Sequence, residues 1–142
     1  MKKILILVLT LLACACTKPS KETSYTFIDE YGVLEQTSQQ ESMKDANISL
    51  TITLNEYQGG LCVATHTVNN PQRGTRNSFT AKEGSEYVTV RYHLKAGPKS
   101  NPSVTLYERN RWFKEAFLLT PGANTDIALT GTTTLTDSEP HR

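Results

Sequence analysis

The residues best equipped for chemistry in this chain are few and scattered. Cys62 and His66 stand four apart in a β-rich run. On a regular strand that spacing gives one face but a separation of about 13 Å. Zinc bonds are near 2 Å, so one ion cannot take both, and His93 does not repair the geometry. Asp29-Glu30 is the closest acidic pair, but neighbouring strand residues point to opposite faces. Glu83 and Glu86 flank a Gly-Ser turn and read as solvated charges. Neither Gly-x-Ser-x-Gly nor His-Glu-x-x-His occurs. These absences predict a protein that is not an enzyme and has no metal or cofactor.

Binding chemistry is better represented. Tyr107, Arg109, Arg111 and Trp112 surround a predicted turn at Arg109-Asn110-Arg111. Arginine and aromatic residues are enriched where interfaces draw their energy, and a guanidinium can stack on an indole. Arg109, Arg111 and Trp112 are therefore the candidate partner-binding residues. The competing reading puts Trp112 in the core and leaves the arginines to solvate the turn. The loop Asn70–Ser78, with Arg73 and Arg76, is a second candidate surface or a plain solvated loop.

The elements that position these residues are strands. Ile48, Leu50, Ile52 and Leu54 alternate with Ser49, Thr51, Thr53 and Asn55, the period of a strand with one buried face. Gln58-Gly59-Gly60 then joins it to Leu61–Val68 as a hairpin. Val88, Val90, Tyr92 and Leu94 mark a second amphipathic strand. Phe79–Ala81 fits a short strand. Ser103–Glu108 and Trp112–Leu119 are expected to flank the Arg-Asn-Arg turn, with Ala96–Pro102 and Pro121–Asn124 as loops. Ile127, Leu129, Gly131, Thr133 and Leu135 read as a final alternating strand. Tyr25–Val33 fits a first strand no better than an irregular segment. Leu34–Lys44 fits one or two helical turns or a loop. About six to eight short strands with uneven loops predict an all-β fold, a single antiparallel β-sandwich of immunoglobulin-like or transthyretin-like arrangement. No Cys–Trp–Cys signature selects between these arrangements.

The first residues carry an address. Met1-Lys2-Lys3, the apolar run Ile4–Leu12 and the small Ala13 have the order of a secretory signal. The run is much shorter than the roughly 20 residues that span a bilayer. Leu11-Leu12-Ala13-Cys14 resembles the lipobox of bacterial lipoproteins. That resemblance implies cleavage before Cys14 and its acylation, Cys14 being preferred to Cys16 because Leu11 occupies the third position before it. The whole chain resembles, in leader, size and strand pattern, small β-sandwich lipoproteins of Bacteroides-like bacteria. This implies no activity.

The expected organisation is a signal peptide over 1–13, a lipidated N-terminus and tether over 14–24, a sandwich over 25–135 and a frayed tail over 136–142. Thr17–Glu22 is mainly basic and polar, unlike the acidic export signals of some such lipoproteins. The expected place is thus a lipid anchor in the cell envelope, at the outer membrane facing the periplasm. Cys16 and Cys62 could form a disulfide there, or Cys62 could stay a buried thiol. Removing Lys2 and Lys3 from the 15 basic residues leaves 13 against 14 acids. A near-neutral chain lacks the concentrated basic surface that nucleic acid requires. The expected function is a non-enzymatic binding or interaction module for a protein or glycan partner, the alternative being a small-molecule carrier with a β-barrel-like cavity.

Overall fold

The computed structural model describes residues 21–142, so the leader, Cys14 and Cys16 lie outside the described residues. The chain is an all-β sandwich. The elements are β1 (Ser24–Asp29), helix α1 (Val33–Ser38), a single 3-10 turn (Glu41–Met43), β2 (Ala46–Gln58), β3 (Leu61–Asn69), β4 (Arg76–Thr80), β5 (Tyr87–Pro98), β6 (Tyr107–Phe113), β7 (Phe117–Leu118), β8 (Asn124–Leu129) and β9 (Leu135–Thr136).

One sheet has the order β4-β1-β8, and the other runs β3-β2-β5-β6-β9 with β7 on β5. Pairing is antiparallel except between β1 and β8, which run parallel with Phe27 beside Ile127. Tyr25, Phe27, Leu50, Ile52, Leu54, Val88, Val90, Phe113 and Ile127 form the fully buried centre. The two alternating runs read from the sequence meet there, with Leu50 opposite Leu94, Ile52 opposite Tyr92 and Leu54 opposite Val90. The β2–β3 hairpin turns at Gly59 (φ 57°) and Gly60 (φ 80°). Two successive positive φ values give the type I′ twist that suits a tight hairpin.

Several local readings are corrected. Arg109-Asn110-Arg111 is no turn: it lies inside β6, opposite Leu94, His93 and Tyr92. Tyr107–Phe113 contains neither glycine nor proline to break a strand, and the reversal falls earlier, between Pro98 and Tyr107. Gly97 permits that reversal, because a Cβ there would sit 2.0 Å from the Val104 carbonyl oxygen. β4 begins at Arg76, inside the expected loop.

The expected final strand is broken at Thr130–Thr134 into β8 and β9, which belong to different sheets. The break is held by threonine. The Thr133 N–H donates to the Thr130 carbonyl, and the Thr130 N–H donates to Thr133 Oγ1. Side-chain hydroxyls thereby offer the backbone an alternative to the ladder.

Lastly, a bulge in β3 leaves Val63 unpaired, with Ala64 opposite Glu56 and Cys62 opposite Tyr57. The extra residue puts Cys62 and His66 on opposite faces of the sheet rather than one. Cys62 is exposed rather than buried, with no disulfide partner among the described residues.

The C-terminal residues, expected to fray, make defined contacts. Asp137 pairs with Arg111 at 2.6 Å, Glu139 accepts from the Tyr57 hydroxyl, and Arg142 Nε donates to the Ala116 carbonyl.

Candidate functional site

Strand length creates an opening in the sandwich. β2 and β5 have 13 and 12 residues, whereas β1 and β8 have 6 each. At roughly 3.3 Å per residue, the smaller sheet covers about half of the larger. Over the remainder lie α1 and the 3-10 turn. Asp29, fully buried at the end of β1, starts α1 by accepting from the N–H groups of Tyr31, Gly32 and Val33 at 3.1, 2.8 and 2.9 Å. Gly32, at φ 75°, allows the sharp entry. The acid of the Asp29-Glu30 pair is thus a structural cap.

Between this segment, the β5–β6 face and the β8–β9 connection is an open cleft of about 580 Å³, a size ordinary for small-ligand sites. Its lining includes Tyr31, Gln36, Gln40, Tyr107, Arg109 and Thr133. Arg109 is exposed, and its guanidinium stands 6.0 Å from the Tyr92 ring centre. It has no carboxylate within ion-pair distance among the described residues. Tyr31 and Tyr107 are 38% and 41% exposed, so their faces are open to a ligand. Burial pushes the Tyr92 phenol up to about 12, with Arg109 opposing the shift, so Tyr92 stays neutral at physiological pH.

β6 separates the three residues read as one tip. Successive strand residues alternate between faces. Arg109 and Arg111 share the inner face with Tyr107, but Arg111 is taken by Asp137. Trp112 is half-buried on the outer face, opposite Arg91, whose guanidinium lies 5.9 Å from the indole. The other candidate surface is also engaged internally. Arg73 Nε donates to the Glu30 carbonyl at 3.2 Å, and Arg76 pairs with Asp126 at 3.0 Å.

A second polar group was missed in the sequence. Glu56 is fully buried in the core. Its Oε2 accepts from the Tyr25 hydroxyl at 2.6 Å and lies 3.0 Å from His66 Nε2. Its Oε1 accepts from the Lys82 N–H at 2.7 Å and the Ser85 hydroxyl at 2.8 Å. The His66 ring also stacks on Phe79, with centres 4.7 Å apart. Burial alone would raise the Glu56 carboxyl. The Tyr25, Lys82 and Ser85 hydrogen bonds, with His66 nearby, outweigh it and hold the group below the ordinary carboxylate range. Burial and the Glu56 bond raise the Tyr25 phenol far above its usual value.

With both carboxylate oxygens accepting hydrogen bonds and no solvent access, Glu56 is built to tie β1, β3 and the Lys82–Ser85 turn to β2. Its signal was present in the sequence, since Glu56 continues the inward positions Leu50, Ile52 and Leu54. Among the described residues, no three of His, Cys, Asp and Glu converge as a metal would need.

No family model, curated protein or solved structure matches this chain.

Proposed function

We propose that this chain is a lipid-anchored envelope protein whose sandwich is a non-enzymatic binding module, with the Arg109 cleft as its contact site. The observation that carries this reading is Arg109 itself. A guanidinium without a carboxylate among the described residues, beside two half-exposed tyrosines and two glutamine side chains, is ready to donate to a partner's anionic or carbonyl oxygens. The space between the sheets is filled by packed side chains, mostly apolar with the fully bonded Glu56 among them, so recognition falls to this end of the fold. Arg111 and Trp112 then act at a distance from the partner, Arg111 holding the C-terminal segment and Trp112 the outer face.

The test uses intact envelopes with a photo-cross-linking residue at Tyr107, in the cleft, or at Asn110, on the outer face of the same strand. Adducts are expected from position 107, falling about tenfold in Arg109→Glu, an interface loss of about 1.4 kcal/mol. The melting temperature should stay close to that of the parent, because exposed substitutions rarely move stability by more than about 0.5 kcal/mol. Equal adducts from position 110, or adducts indifferent to Arg109→Glu, overturn the cleft as the site.

The anchor rests on Leu11-Leu12-Ala13-Cys14. Cys14→Ser is expected to abolish fatty-acid labelling and to leave the protein unanchored or incompletely processed, since stable retention needs at least two acyl chains or an equivalent second signal. Undiminished label in Cys14→Ser would move the anchor to Cys16 or remove it.

A further inference from the structure

The large sheet ends in an edge that lacks the usual protection. β3 has nine residues and, among the described residues, pairs only with β2. Natural sheets blunt exposed edges with charge, proline, shortness or bulges. Leu61–Asn69 contains no Lys, Arg, Asp, Glu or Pro. Its bulge at Val63 lies toward one end, leaving Ala64–Asn69 as a regular run about 20 Å long. Among the described residues, the other ends of the two sheets are defended. β4 has five residues and carries Arg76, β8 carries Asp126 at its middle, and β9 has two residues.

The hydrogen-bond phase of β3 is fixed. The Asn70 N–H donates to the Leu50 carbonyl at 2.7 Å, so that pair is a bonded one. Bonded and non-bonded pairs alternate along an antiparallel ladder. Val68, His66 and Ala64 therefore turn their backbone groups toward β2, and Thr65, Thr67 and Asn69 turn theirs outward.

We infer that this edge pairs with the same edge of a second copy of the chain, joining two large sheets into one continuous sheet about a dyad. Three features select the second copy over an unrelated strand. An edge without charge meets itself with no like charges in opposition, which is the common penalty of self-pairing. Thr65 and Thr67 are both exposed on the outer face, where threonines make favourable cross-strand pairs. Finally, the far end of the sheet is the two-residue β9, so β3–β3 pairing closes at two copies instead of growing into a fibre. This inference stands apart from the Arg109 cleft, which lies over the β5–β6 end of the sheet.

Proline at 67 gives a selective test. The Thr67 N–H points away from β2, so Thr67→Pro removes an outward donor while the internal ladder stays complete. Thr65→Lys/Thr67→Lys is the companion variant. It places like charges across the dyad and asks no change of the backbone. The full chain is examined by sedimentation equilibrium in density-matched detergent. The parent is expected to show the mass of two chains at about 100 µM, with association weakened at least tenfold in both variants and unchanged circular dichroism in the lysine variant. A single-chain mass for the parent up to about 1 mM, or a dimer indifferent to the double-lysine variant, overturns the proposal; the first result would leave β3 as an edge for some other strand.

Discussion

Glu56→Ala is expected to destabilise the fold by about 3–5 kcal/mol, measured by urea unfolding, the range found when one partner of a buried charged network is removed. The Tyr25 hydroxyl, the Lys82 N–H and the Ser85 hydroxyl all donate to this one carboxylate. Removing it leaves those donors with nothing to bond, each at a cost of about 1–3 kcal/mol unless water enters. Tyr25→Phe should cost less, because the carboxylate keeps its other donors. An alanine variant within about 1 kcal/mol of the parent would show that the network is dispensable, an outcome incompatible with the burial of Glu56.

The same carboxylate makes stability depend on acid. Its folded-state value lies below the ordinary 4.5. The stabilisation is therefore complete above that value and is lost as pH falls through it toward the folded value, where the native state must also take up the proton. Between about pH 5 and pH 3 the parent should lose more unfolding free energy than Glu56→Gln, which has no proton to gain at that position. Parallel curves for the two proteins would remove Glu56 as a source of acid sensitivity.

How much of this was legible in the sequence depended on how local the determining forces are. β2 and the middle of β5 were legible because one face is buried against the smaller sheet and the other is wet, which writes a period of two into the residues. The Gly59-Gly60 turn was legible because positive φ restricts residue choice at two adjacent positions. Arg109 and Arg111 misled because their inner face extends past the cover of the smaller sheet, so it carries charge where a core position would be apolar. The break at Thr130–Thr134 is made by hydroxyl-to-backbone bonds, which leave a weaker mark than proline. The β1–β8 pairing joins residues about a hundred positions apart, and nothing local specifies it. The cleft inherits that distance. Arg109, Tyr31 and Thr133 come together only through the sheet order, so Arg109 was legible as a binding type while its surroundings were not.

The register of the central strands sets the other large effect. Ile52 is fully buried at the middle of β2, opposite Val68 on β3 and Tyr92 on β5. Thr53, its neighbour, faces outward between Thr67 and Arg91. An aspartate at 52 would be a charge among apolar side chains with no partner provided, and Ile52→Asp is expected to cost more than about 4 kcal/mol or to prevent folding. Because an unfolded variant reports no magnitude, Ile52→Ala gives the measurable counterpart, with an expected loss of about 2–5 kcal/mol from lost burial and the cavity left behind. Thr53→Asp, opposite Arg91 on a partly wet face, should change stability by less than about 1 kcal/mol. The comparison isolates the face of the strand, since the two positions are adjacent in sequence and share both neighbouring strands. Similar melting shifts for Ile52→Ala and Thr53→Asp would mean that β2 does not present its even-numbered residues to the core, and would also undo the inward placement of Glu56 four residues further along the same strand.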